Sequence, residues 1–273
     1  MITALPRVAI AMHDYEAAVA LFRDGLGMPV LDFSDQTVPS LGAHVGMCVP
    51  EGGSNVELMS PANPELPLSQ ALQRFLDARG EGFYAMMLEA PDPDAEAEVL
   101  AGRGLGVLAL MPGAGGRDVH PKTTHGVLVR VYPNDSVKAG GPHPSSAPAL
   151  SGIMRTIVAV DDVGIAVDAY GPPGFGLEAG EVVRDEDRGV DSVICTPPKG
   201  GVVELAAPVD TRRPFALELE KQLKDRGPGL HALVLEAENP ERAAQVLSDR
   251  GLEPSTAGGS VALDLLGARF VIE

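Results

Sequence analysis

The chain contains no tryptophan, and aromatic residues make up only 4% of its 273 positions. Stacking platforms for single-stranded nucleic acid are therefore not expected. Basic residues are scarce too: 21 Lys and Arg stand against 38 Asp and Glu, for a formal net charge of −17. Nucleic acids and anionic membranes need a basic footprint, so neither is expected as a partner. An anionic small molecule stays open, because arginines in a cleft act locally while salt screens distant surface charge over about 10 Å. Two cysteines are too few for a disulfide framework, which points to a reducing cytoplasm. No apolar run reaches the length of a membrane span. The opening MITALPRVAIAMHD has no basic stretch leading into a hydrophobic one, so no secretory signal is expected. With 45% apolar residues over this length, the expectation is a globular chain of two ordinary domains.

What is present is repetition. GSNVELMSP at 53–61 returns as GGVVELAAP at 200–208, and FLDARGEGFYAMMLEA at 75–90 returns around LKDRGPGLHALVLEA at 223–237. Glu57 matches Glu204, Gly80 matches Gly227, Glu89 matches Glu236 and Cys48 matches Cys195, all 147 residues apart. RVAIAM at 7–12 pairs with RTIVAV at 155–160, and VLVR at 127–130 pairs with FVIE at 270–273, shifted by a few residues. A fixed offset over this span is duplication. Between the copies, NDSVKAGGPHPSSAP at 134–148 is rich in Gly, Pro and Ser and lacks periodic apolar residues. The expected organisation is a first domain over 1–134, a linker over 135–149 and a second domain over 150–273.

Each copy reads as two similar pieces. Residues 7–12 form a short buried strand. Asp14 is a good helix N-cap, and Tyr15, Ala18, Val19 and Phe22 make one stripe that Gly25 closes. Strands follow at 44–49 and 55–59, then a linking helix at 68–78, a strand at 83–89 and a helix at 94–103. Short strands near 107–110 and 126–132 finish the copy. The class is α+β, with four βαβββ modules in two domains. In the second copy GIAVDAYGPPGFG (164–176) carries Pro172 and Pro173, and a helix interior loses about 3 kcal/mol per proline, so that helix is expected to be shortened or broken.

ELMSPANPELPLSQALQRFLDARGEGF (57–83), PGAGGRD (112–118) and HPKTTHGVLV (120–129), in this order of modules, resemble the vicinal-oxygen-chelate (glyoxalase/bleomycin-resistance) superfamily, and within it the methylmalonyl-CoA epimerases. The resemblance implies a metal site made of a histidine on the first strand, Gln or Glu on the fourth, a histidine on the fifth and a glutamate on the last. Those positions here hold Arg7, Glu57, Ala85 and Arg130, and in the second copy Arg155, Glu204, Ala232 and Glu273. The epimerases' additional base falls at Ser40 and Asp187. Arginine has no lone pair to give and alanine has no donor, so no metal site and no cofactor are expected. His231 is one residue from a ligand position, and one step along a strand turns a side chain to the other face unless the strand is bulged.

Arg7, Arg130 and Glu57 then form the candidate catalytic set: a net positive pocket for a carboxylate or enolate, with Glu57 as base. The same three residues also read as a buried salt-bridge cluster. Tyr84, His44 and His125 are candidate outer partners, and His120 and Lys122 candidate ligand contacts in the turn that the epimerase resemblance singles out. In the second copy Arg155, Glu204 and Glu273 come close to neutralising one another, which suits a structural role. Cys48, Cys195 and the methionines read as core. The expected function is a metal-independent isomerase or lyase acting on a carboxylated or CoA-linked small molecule through an enolate. A sequestering binding protein and a pseudoenzyme partner subunit are the alternatives. Both a monomer, as a pseudo-dimer, and a homodimer fit.

Overall fold

The structure, a computed structural model, describes residues 1–34, 41–136, 146–257 and 260–273. Most of the expected linker, and Ser40, lie outside them. In the first copy β1 (Ala4–Ala11) leads to α1 (Tyr15–Ala20), β2 (Val30–Asp32), β3 (Ala43–Cys48) and β4 (Asn55–Pro61). Then come α2 (Pro67–Arg79), β5 (Gly82–Ala90), α3 (Pro93–Gly102), β6 (Arg117–Val119) and β7 (Val129–Pro133). The second copy begins with β8 (Arg155–Ala159), α4 (Val163–Tyr170), β9 (Glu178–Ala179), β10 (Val183–Asp185), β11 (Val190–Thr196) and β12 (Val202–Pro208). It ends with α5 (Pro214–Arg226), β13 (Gly229–Leu235), α6 (Pro240–Asp249), β14 (Ser255–Ala257), β15 (Ser260–Leu265) and β16 (Ala268–Ile272). No helix of the described residues is long and apolar enough to cross a membrane.

Each copy folds as one mixed sheet. The first runs β2-β3-β4-β1-β5-β7-β6; the second runs β10-β11-β12-β8-β13-β16-β15-β14, with β9 beside β11. The expected strand near 107–110 is reduced to a single bridge, Val107 to Val119, so the second module has two strands after its helix. Asp14 caps α1 by accepting from the Ala17 N–H at 3.0 Å, and the stripe ends in a π-helical turn over Leu21–Gly25. Helix α4 stops at Gly171, directly before the two prolines, because neither can donate into the helical ladder.

Alternation along the strands sorts the residues onto two faces. Val8 and Ile10 of β1, Met86 and Leu88 of β5, and Val129 and Val131 of β7 face a core shared with the second copy, where Phe22 meets Phe270 edge-on at 5.7 Å. Ala9, Ala11, Met59, Ala85 and Met87 face the other way, and α2 lays Leu68, Leu72 and Leu76 onto that concave side. Helix α5 does the same for the second sheet with Ala216 and Leu219. The copies are joined through backbone as well. Leu5 bonds Lys199, Ser54 exchanges two bonds with Ile153, and the buried Tyr170 hydroxyl donates to the Thr124 carbonyl at 2.9 Å.

Candidate functional site

The concave face of the first sheet brings Arg7 of β1, Glu57 of β4 and Arg130 of β7 onto one side, but not into one cluster. Nε of Arg7 donates to Glu57 at 2.9 Å, with the two residues 4% and 6% exposed. Nη1 of Arg7 donates to the Ser136 hydroxyl at 2.8 Å, which in turn donates to Glu89 at 2.7 Å. The same guanidinium lies 4.5 Å from the Tyr132 ring centroid. Arg130, 5% exposed, is forked onto Asp118 rather than Glu57, with Nη2 to Oδ2 at 2.6 Å. Asp118 faces Arg130 across the β6–β7 pairing. Two arginines therefore meet three carboxylates, so the cup is net negative, not net positive as expected. Asp118 and Glu89 were absent from the sequence-based set. Asp118 ends the PGAGGRD string, whose glycines are its conspicuous feature.

In the second cup Nε of Arg155 sits 3.2 Å from Glu204, and Nη2 is 2.6 Å from Glu273. Glu204, 0% exposed, also accepts from Arg188 at 2.5 Å, and Arg188 bonds Asp185 at 2.7 Å. No motif in the sequence singles out Arg188. Strand pairing also corrects the equivalence of the last strands. Arg130 lies opposite Met87, and Val271 lies opposite Val234, the repeat mate of Met87. Val271 is thus the counterpart of Arg130, and Glu273 stands where the first copy has Tyr132.

The other candidates scatter. His44 stacks on Tyr15 at 5.3 Å, on the face of the sheet away from Glu57. His120 uses Nδ1 to accept from the Lys122 N–H at 3.0 Å, capping a short 3-10 turn, and Lys122 is exposed. His125 is half-buried at the seam between the copies; burial lowers its pKa, against the opposing charge of Asp161. Asp187 is exposed in the β10–β11 turn. Cys48 and Cys195 are buried free thiols. Burial pushes the Cys195 thiol up to about 11, which suits packing rather than reactivity.

Tyr84 does face the concave side, for a reason the alternation hides. Ala9 pairs with Ala85 and Ile10 with Phe83, so Tyr84 is the extra residue of a bulge. It packs edge-on against Phe75 of α2 at 5.3 Å, and burial pushes its hydroxyl up to about 12. The second copy repeats the bulge at the equivalent residue, His231, between Leu230 and Ala232. His231 is thereby turned toward α5, where it meets Phe215 edge-on at 5.6 Å.

A divalent metal does not fit either cup. The ligand positions offer one carboxylate each beside arginine, alanine and, in the second copy, Val271, and each carboxylate is already ion-paired. Among the described residues no group of three or more His, Cys, Asp or Glu side chains is arranged to hold a metal. Treatment with EDTA followed by desalting is expected to leave the unfolding midpoint within about 1 °C of the untreated protein. Stoichiometric zinc, cobalt or nickel in the purified protein, lost together with stability on chelation, is the opposite result.

The open space lies elsewhere. A groove of about 920 Å³ is lined by the C-terminal turns of α2 and α5, the starts of β5 and β13, and the turns at Gly126 and Gly267. Both copies contribute to it, and both bulge residues, Tyr84 and His231, are part of its wall.

The sequence pattern of the glyoxalase/bleomycin resistance protein/dioxygenase superfamily matches residues 7–120 and 155–265. No curated protein matches the chain by sequence. Among solved structures, a triple mutant of 4-hydroxymandelate synthase from Streptomyces coelicolor is similar in fold, with a TM-score of 0.68 at 13% identity over 99% of this chain and 92% of that one. A variant methylmalonyl-CoA epimerase from Streptomyces coelicolor, in complex with 2-nitronate-propionyl-CoA, is 24% identical over 51% of this chain and 100% of its own, with a TM-score of 0.42. The epimerase from Mycobacterium tuberculosis is 26% identical over 48% of this chain and 89% of its own, at 0.40.

Proposed function

Starting from the premise that this chain belongs to the glyoxalase/bleomycin resistance protein/dioxygenase superfamily, we propose that it is a metal-independent small-molecule-binding protein whose ligand lies in the groove between its two copies. The observation that carries this reading is that the central carboxylate of each cup is buried and already engaged. Glu57 and Glu204, the carboxylates at the superfamily's ligand positions, are buried and bonded to arginine. Catalysis through an enolate needs Glu57 to accept a proton from substrate. Its Oε2 instead accepts from Arg7, and α2 covers the concave side. The groove offers volume within the range of small-molecule sites.

The test is a thermal-shift screen of acyl-CoA thioesters, short carboxylates and hydroxylated aromatics against the intact chain. A ligand at 100 times its dissociation constant adds about 2.7 kcal/mol of apparent stability. Ala78 is exposed on α2 and lines the groove, so Ala78→Trp fills the space with little strain elsewhere. Hits are expected to lose their effect in Ala78→Trp. Hits that persist unchanged in that variant, or turnover abolished by Glu57→Gln, move the site back to the cup.

A further inference from the structure

We infer that the groove takes an uncharged hydroxylated aromatic molecule whose hydroxyl donates to Nε2 of His231. This rests on the groove being the binding site. His231 lines the groove and is 9% exposed. Its Nδ1 lies 2.8 Å from Oε1 of Gln222 on α5. The Gln222 amide is held in this orientation because its NH2 donates to the carbonyls of Gly229 and Leu230, both at 3.3 Å. An amide oxygen only accepts, so Nδ1 carries the ring proton and Nε2 is a bare acceptor. Nε2 has no hydrogen-bond partner and lies just beneath the groove wall, so the side chains over it have to shift slightly for a ligand hydroxyl to reach it. A buried acceptor left in that state is costly, and a donor is the partner it lacks.

The surroundings narrow the donor. A carboxylate or a fully ionised phosphate has no proton to offer the lone pair. A cationic amine is opposed by the nearby Arg269 guanidinium, whose charge acts after burial to hold the imidazole down to about 4. Arg269 is itself paired with Glu218 at 3.2 Å. Four basic and four acidic side chains line the groove, so it has no net charge with which to select an ion. Its apolar wall is Phe75, Phe83, Tyr84, Leu128 and Leu230, all partly exposed. These suit a flat ring with one hydroxyl. The repeat mate of His231 is Tyr84, whose hydroxyl brings a proton of its own, so the donor-free imidazole acceptor occurs on one side only, which sets one ligand per chain.

The test uses 2-naphthol, 2-methoxynaphthalene and 2-naphthoate with the full chain carrying 15N-histidine. 2-Naphthol is expected to bind one per chain and to shift the His231 Nε2 resonance on saturation. The methyl ether, equal in ring but without a donor, is expected to bind at least about tenfold more weakly, as loss of one buried hydrogen bond implies. His231→Leu is expected to bring 2-naphthol down to the level of the ether. Equal binding of naphthol and ether, tighter binding of naphthoate, an unmoved Nε2 resonance, or no binding of any probe at its solubility limit overturns the inference. If ligands from the wider screen still depend on Ala78, the groove remains the binding site and only the donor rule fails. If none does, the binding reading itself fails.

Discussion

Glu57→Leu alone is expected to destabilise the chain by about 3–5 kcal/mol, while Arg7→Met combined with Glu57→Leu returns to within about 1 kcal/mol of the unaltered protein. The reason is the asymmetry between breaking a buried ion pair and replacing it. With Glu57 gone, Arg7 keeps its charge inside a cup that Met59, Met87 and α2 keep largely apolar. Its remaining direct partners are the Ser136 hydroxyl and the Tyr132 ring, and the anion left nearby, Glu89, reaches it only through Ser136 and at longer range, without a charge-assisted hydrogen bond. Removing both partners leaves two side chains of suitable volume against Ala9 and Ala85. Glu89 is not stranded by the loss of Arg7, because it accepts from the Ser136 N–H at 2.9 Å and from the hydroxyl. Urea denaturation of the two single variants and the double variant gives the coupling energy directly. Ligand binding in the groove is expected to survive in the double variant. Singles and double all within about 0.5 kcal/mol of the unaltered chain would show that the pair does not hold the cup together.

That experiment targets a feature legible in the sequence, since the repeat that links Glu57 to Glu204 at 147 residues also pairs Arg7 with Arg155 on the first strands, one residue further apart. The strand faces were legible for the same reason: period-two alternation in β1, β5 and β7 assigns Arg7, Ala85 and Arg130 to one side. Four things were not. A bulge adds a residue without leaving a mark on a short apolar strand, so strict alternation turns His231 to the opposite face from the one its pairing with β8 gives it. The partner of Arg130 depends on the register of β6, a three-residue strand behind a glycine-rich turn, and no pattern in the sequence fixes that register. The match of VLVR to FVIE aligned residues that look alike rather than residues that pair alike, which made Glu273 a false mate of Arg130. His44 failed for a simpler reason. Its strand is real, but the step that puts Val45 opposite Met59 sends His44 to the outer face.

Gly126→Ala is expected to cost about 4 kcal/mol or more, well above Gly104→Ala at about 1–2 kcal/mol. Both glycines have positive φ, +81° and +87°, so both substitutions carry the left-handed penalty of an L side chain. They differ in what the new Cβ meets. At Gly104 nothing lies within 4 Å; at Gly126 the Pro228 carbonyl oxygen is 1.8 Å away. Pro228 is backbone of the second copy at the start of β13, so relief requires the two copies to part. The seam repeats this device on its other side, where a Cβ at Gly267 (φ +68°) would stand 2.0 Å from the Glu81 carbonyl oxygen. Both turns also line the groove, so parting them changes the walls that carry Tyr84 and His231. Gly126→Ala is thus expected to lose groove ligands as well as stability, whereas Gly104→Ala keeps them. Urea midpoints and 2-naphthol titrations of the two variants decide it. Equal costs at Gly104 and Gly126, with binding intact in both, would mean that the copies do not meet at this turn, and a site built jointly by them could not stand.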